Sequence, residues 1–206
     1  WNPLGERREL AKRLRDRGVG GPNGVEHIAS DQNQIRAAAR HRIDRVAECV
    51  RDVGLPRVDA AVSTDVAALS GGNRSDGFIV SGHGGKGDPS VLADLYMVTP
   101  GYFNVLGISR LAGRDFDHEA ATGPRVAVVN KAFADRLFGA ENAIGQRIVG
   151  GGLTYQIIGI VGNAKSRTLG ENTRPVLYRS LDQSIANDPS MMGYTLIARA
   201  QNNPDG

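Results

Sequence analysis

The stretch Met97 to Phe116, MVTPGYFNVLGISRLAGRDF, limits the fold more than any other part of the chain. Pro100, Gly101, Gly107 and Gly113 cut it into short pieces, so no long element can run through it. Thr99 is expected to cap a helix, its hydroxyl accepting a free N–H of the first turn. Pro100 would then hold the first helical position, where its missing N–H costs nothing. Tyr102, Phe103, Val105 and Leu106 supply apolar surface over little more than one turn. Gly107 is placed to end the helix in the left-handed conformation. Leu95 to Val98 reads as a strand, and Ile108 to Phe116 as an extended run with a Gly-Arg-Asp turn. Strand, one-turn aromatic helix and second strand make a unit suited to plugging a core, with Phe103 at its buried centre. Arg114 is placed to lock the turn by bridging strand carbonyls or a carboxylate.

Other elements follow from periodicity and stop signals. A helix is expected from Asn2 and Pro3 to Arg17, with a thin apolar face at Leu10, Ala11 and Leu14, then a flexible linker over residues 18–25. A second helix opens at Asp31, with Gln34 completing a capping box. Its stripe is Ile35, Ala39, Ile43, Val46, Val50 and Val53, and Gly54 and Pro56 end it. Strands are expected at Val58–Ser63, Gly77–Val80, Arg125–Val129, Tyr155–Val161, Val176–Tyr178 and Tyr194–Arg199. Asn130 should cap a helix through Phe138, stopped by Gly139. The order, with 27 glycines punctuating it, predicts an α+β fold: mixed, largely antiparallel sheets with helices on one face. Residues 1–30 read as an N-terminal helix and linker, and residues 31–206 as the main domain, of a length that suits one domain or two small subdomains.

No stretch carries recognisable catalytic chemistry. Gly82, Gly84 and Gly87 match G-x-G-x-x-G, but the next strand begins too soon for a crossover helix whose N-terminus would meet a pyrophosphate. Gly85-Lys86 is not a phosphate loop, because Gly87 stands where a Ser or Thr is required. Asp115, Asp117, His118 and Glu119 gather oxygens, without the glycine and later acidic ligand of a calcium loop. His27, His41, His83 and His118 form no H-E-x-x-H. Gly107 to Leu111 fails as a nucleophile elbow at its last position, and His83-Gly84-Gly85 lacks a nucleophile. Asn73-Arg74-Ser75 is a glycosylation sequon by pattern alone. Cys49, the single cysteine, excludes an internal disulfide and reads as a small buried side chain on its helix. No catalytic, cofactor-binding or metal residue is therefore assigned. A small enzyme would require one pocket to gather His83 with the Asp115–Glu119 cluster.

Net charge is +3. Residues 1–56 carry 11 basic and 8 acidic side chains and residues 57–206 carry 14 of each, so the main body is neutral. Without a basic stripe interleaved with aromatics, nucleic acid is not an expected partner. No segment approaches the apolar length of a membrane span. The chain begins at Trp1 without an initiating Met or signal peptide, and is expected to be a fragment of a longer protein.

The run V-T-P-G-Y-F-x-x-L-G-I, followed by G-R-x-F, resembles the extracytoplasmic core domain of MacB-like (FtsX-like) ABC transporter permeases. Val126 to Gly145, Tyr155 to Lys165 and Arg174 to Tyr178 fit the same pattern in the same order, so the resemblance covers residues 57 to 200. The chain departs from the pattern at Ala143 and Ser180, where the family has Pro, and at Asn163, where it has Asp. The resemblance implies a non-enzymatic domain on the periplasmic face of the inner membrane. It implies flanking transmembrane helices, a second permease subunit, a cytoplasmic ATPase domain, and in exporters a periplasmic adaptor. It also implies mechanotransmission in efflux or signalling, and the free-standing periplasmic binding module is the alternative.

Overall fold

The computed structural model describes residues 58–185 and 193–200, apart from residues 71, 73, 86, 118, 121 and 140. The helices expected over residues 2–17 and 31–53, the linker between them, Cys49, His27, His41 and His118 lie outside the described residues. Those described all belong to one compact unit, Ala38–Gly206. In chain order they form β1 (Val58–Thr64), β2 (Ser75–Val80), β3 (Ser90–Val98), α1 (Tyr102–Val105), β4 (Arg110–Gly113) and β5 (Val126–Asn130). Then come α2 (Lys131–Phe138), β6 (Arg147–Gly150), β7 (Leu153–Val161), β8 (Val176–Ser180), α3 (Leu181–Ser184) and β9 (Thr195–Ala200).

The strands make one mixed sheet in the order β2-β6-β7-β5-β8-β3-β1-β9, with β4 paired to β7. Because β2 also pairs with β3, its first six members close into a ring. The pairs β3–β8 and β5–β7 are parallel and the rest antiparallel, so the α+β class with a largely antiparallel sheet holds.

Strands β3, β5 and β8 are buried on both faces, and their residues alternate between two cores. Val91, Ala93, Leu95, Ala127, Val129 and Leu177 face the ring interior, where α2 adds Phe133 and Leu137. Tyr96, Val98, Val126, Val128, Val176 and Tyr178 face the other side, where Tyr102 and Phe103 of α1 close over them. The helices therefore divide between the two faces instead of sharing one. A sheet with two apolar faces needs cover on both, and each helix is too short to cover more than a patch.

The central stretch folds as a plug, by a different local route from the expected one. Thr99 does not cap α1, whose N-cap is Gly101 with no side-chain cap bond. The Tyr102 N–H donates to the Thr99 carbonyl at 3.3 Å, and Gly101 has φ 84° and ψ −3°. Thr99 to Tyr102 is thus a type II turn, in which Pro takes the second position and Gly the positive-φ third. The Thr99 hydroxyl is spent on β1, accepting the Ser63 N–H at 2.8 Å. At the other end the expectation holds. Gly107 has φ 69°, its N–H donates to the Asn104 carbonyl, and the Ile108 N–H reaches the Phe103 carbonyl at 2.8 Å. Those two bonds are the Schellman pattern.

Phe103 is 4% exposed. It meets Tyr178 edge-to-face at a centroid distance of 4.9 Å and stacks on Phe116 at 6.3 Å. Tyr102 adds a further ring 6.0 Å from Tyr178. The remaining strand expectations and the helix capped by Asn130 are all present, the Asn130 side chain accepting the Phe133 N–H at 3.0 Å. Two short elements, β6 and α3, were not expected from the sequence.

Phe103→Ala should lower stability by roughly 3–5 kcal/mol, since it empties a buried site bounded by three rings. A denaturant midpoint unchanged within error would show that the ring does not anchor the fold.

Candidate functional site

The glycine loop joins β2 to β3, and its free amides are satisfied from within. The Asp88 carboxylate accepts the N–H groups of Gly84 and Gly85, each at 2.7 Å. These bonds hold its pKa below the usual carboxylate value. An amide cradle of this kind would suit a phosphate, but the loop fills it with its own charge. His83 Nδ1 lies 4.0 Å from the same carboxylate.

The acidic run after β4 is equally self-contained. Arg114 Nη1 donates to the Glu119 carboxylate at 2.7 Å and to the Asp115 carbonyl at 3.1 Å, which locks the turn as expected. Gly113 precedes it because a Cβ there would sit 2.2 Å from the Ile158 carbonyl oxygen. Burial raises the Asp115 pKa, against hydrogen bonds from the Phe116 and Gly101 amides. Asp115 lines a cleft of about 300 Å³ with Phe103, Arg110 and Arg114. His83 is not among the residues that line it. Among the described residues no group of three His, Cys, Asp or Glu side chains is placed to hold a metal.

The densest polar cluster is one that the motifs did not point to. Asp94, on β3, is 1% exposed. Its carboxylate receives Arg167 through Nε at 2.8 Å and Nη2 at 2.5 Å, Arg174 Nε at 3.2 Å, and the Ser75 hydroxyl at 2.9 Å. Burial alone would raise its pKa, yet the Arg167 and Ser75 hydrogen bonds and the two guanidinium charges hold it below the usual value. Glu171 adds a second knot. One of its carboxylate oxygens accepts the Ser166 and Arg167 amides and the Ser166 hydroxyl. Together they fasten the long connection between β7 and β8 to the sheet. A sequence signal existed: Asp94 interrupts the apolar strand SVLADLYMV, and an acid in such a place is buried only with partners. Its two arginine partners, 73 and 80 residues away, carried no local mark.

The first and last described strands lie side by side. β1 and β9 pair antiparallel from Val58 opposite Ala200 to Thr64 opposite Thr195. This ribbon joins β3 over a narrow seam. There the Thr99 N–H donates to the Ser63 carbonyl at 3.0 Å, and the buried Asp65 carboxylate accepts the Met97 N–H at 2.8 Å.

A family model described as the MacB-like periplasmic core domain matches residues 18–204. The chain belongs to this family. The match reaches upstream of residue 57, where the recognisable motifs begin. It is a family of periplasmic domains of transporter permeases and not a catalytic one. No curated protein matches the chain. The periplasmic region of MacB from Actinobacillus actinomycetemcomitans superposes with a TM-score of 0.54 at 16% identity, over 76% of this chain and 64% of that one. The extracellular domain of the noncanonic ABC-type transporter YknZ from Gram-positive bacteria superposes with a TM-score of 0.51 at 17% identity, over 72% and 68%. At these identities the likeness is one of fold. The MacB-like domain spans just under two thirds of the first structure. No described helix is long and apolar enough to cross a membrane.

The family departures have local explanations. Asn163 Oδ1 accepts the Ala132 N–H at 3.0 Å, at the start of α2, a task that an Asp performs equally. Ser180 has φ −63°, the angle that a proline ring imposes. Ala143 is buried at 1% exposure, where a small side chain fits.

Asp94→Asn should destabilise the domain by about 2–3 kcal/mol at neutral pH, because charge-assisted bonds to both arginines are lost. A depressed carboxylate contributes stability above its unfolded value, near 3.8, and loses it as the pH falls through the lower folded value. The acid limb of a stability–pH curve should therefore be shallower in Asp94→Asn. Parallel curves would assign the acid sensitivity elsewhere.

Proposed function

We propose that this chain is the extracytoplasmic domain of an ABC transporter permease subunit and works as a mechanical coupler. It would sit on the periplasmic face of the inner membrane and relay ATP binding and hydrolysis in the cytoplasm to export or signalling outside. The single observation that supports coupling is the β1–β9 ribbon. β1 begins at Val58 and β9 ends at Ala200, residues that face each other across one strand pair. In this reading the segments flanking the two strands lead on toward membrane helices, and a movement of those helices would reach the domain through the ribbon.

The load path is short. The ribbon is tied to β3 at the Ser63–Thr99 and Asp65–Met97 seam, and Val62 and Ile197 pack into the aromatic core. Arg199 Nη1 adds a bond to the Asn104 carbonyl of α1 at 3.2 Å. β3 in turn contributes to both cores, so the seam links the ribbon to the rest of the sheet. The partners in this reading are a second permease subunit, the cytoplasmic ATPase reached through the membrane helices, and a periplasmic adaptor in exporters.

Two copies tethered on one membrane face meet at high effective concentration, so their interface can be weak in solution. The excised domain should therefore be monomeric at micromolar concentration by sedimentation. In the full-length permease, cysteines placed on exposed positions should crosslink between subunits in a nucleotide-dependent way. Ser81 is exposed and suits such a scan. Ser75 does not, because its hydroxyl is bound to Asp94. Crosslinking that ignores ATP across a full surface scan would replace the coupler with a passive binding module.

A further inference from the structure

On the aromatic side of the sheet, a cleft of about 190 Å³ opens between the turn at Ala68-Leu69 and the end of α1 at Leu106 and Ile108. Its polar floor consists of three phenols, Tyr96, Tyr102 and Tyr178. Two are engaged: Tyr96 donates to the Ser166 carbonyl at 3.4 Å, and Tyr102 bonds the Thr64 side chain. Tyr178 is 3% exposed, and its hydroxyl has no hydrogen-bond partner among the described residues. That hydroxyl is not among the fully enclosed unpaired atoms, so it keeps access to the cleft and is open to a partner that fills it.

The rim carries a second, independent mark. Leu69 has φ 63°, the one positive value at a non-glycine residue among those described. Its N–H is held by the Ser166 carbonyl at 2.8 Å, and its side chain lines the cleft while 46% exposed. A strained backbone of this kind persists only where its surroundings impose it, and such positions gather at ligand clamps. Here the imposed conformation holds a large apolar side chain over a site whose inner surface has one unused donor.

We propose that this cleft binds a small apolar molecule, or the apolar end of a larger one, that carries one hydrogen-bond-accepting oxygen. The apolar body would lie against Leu69, Leu106 and Ile108, and the oxygen would accept from Tyr178. The volume equals roughly six waters at ~30 Å³ each, which sets the occupant at about six to ten heavy atoms. The site is not a step in the coupling reading and stands without it.

The test uses the 206-residue chain with methyl-labelled Leu and Ile, titrated by NMR with 2-hexanone and with 2-methyl-1-hexene, the same shape without the acceptor. Saturable shifts confined to Leu69, Leu106 and Ile108 are expected, at roughly millimolar affinity for ligands of this size. In Tyr178→Phe the affinity for the ketone relative to the alkene should fall about 3- to 10-fold, the worth of one hydrogen bond. The same variant should melt at or above the wild-type temperature without ligand, because the hydroxyl it removes has no partner. Ala164→Phe, at the cleft wall, should abolish the shifts from both ligands. Absent or non-saturable shifts would overturn the proposal, as would an unchanged ketone-to-alkene ratio in Tyr178→Phe. A variant that melts early or fails to fold would give the hydroxyl a structural partner, and binding that survives Ala164→Phe would place the ligand elsewhere; either result also overturns it.

Discussion

Everything in this domain depends on three strands being buried from both sides. β3, β5 and β8 send alternate residues into two separate cores, so Leu177 and Tyr178, neighbours in the chain, belong to different clusters. A one-residue slip in any of these strands would exchange the two sets; in β8 it would turn Tyr178 into the ring interior and Leu177 beneath α1. Register is therefore specified twice over, once by each face. Tyr178 is the centre of one side, with Phe103, Tyr96 and Tyr102 all within 6.0 Å of its ring centroid. Phe78 has the same place on the other, edge-on to Phe133 at 5.7 Å and Tyr155 at 6.5 Å.

Two-sided burial leaves loops to be fastened by polar side chains, because little apolar cover remains for them. Asp94 and Glu171 do this for the β7–β8 connection. Gln183 does it for the segment before β5, accepting the Val126 N–H at 3.1 Å and donating to the Pro124 carbonyl at 2.8 Å. Asn130 joins both systems. Its oxygen caps α2 and also accepts the Val176 N–H at 2.9 Å, while its amide donates to the Arg174 carbonyl at 2.7 Å. Each of these side chains spans elements far apart in sequence, so the loops and the cores hold each other in place.

Much of this was legible in the chain itself. Phe103 and Gly107, the helix from Asn130 to Gly139, and the strands at Val58, Tyr155 and Val176 follow from local rules. Turn residues, caps and apolar alternation act over a few residues and need no distant partner. The absence of catalytic motifs was equally a local matter of spacing, as in the glycine loop that has no helix behind it. The family motifs share this character, since they mark turns and buried strands.

What the tertiary structure decided lies where one local signal had two outcomes or where the partner was remote. Thr99-Pro100-Gly101 fits a helix start and a type II turn alike, and β1 drew the Thr99 hydroxyl away to Ser63. The helices were expected on one face, but the sheet has two apolar faces, and α1 and α2 went one to each. Asp94 showed only that it needed a cation, and no short-range rule could choose Arg167 and Arg174. Tyr178 read as one more core aromatic, yet whether its hydroxyl would find a partner depended on the packing of four other elements. Local chemistry determines which segments turn, cap and bury; the pairing of distant polar groups is set by topology, because only the assembled sheet brings them within hydrogen-bond reach.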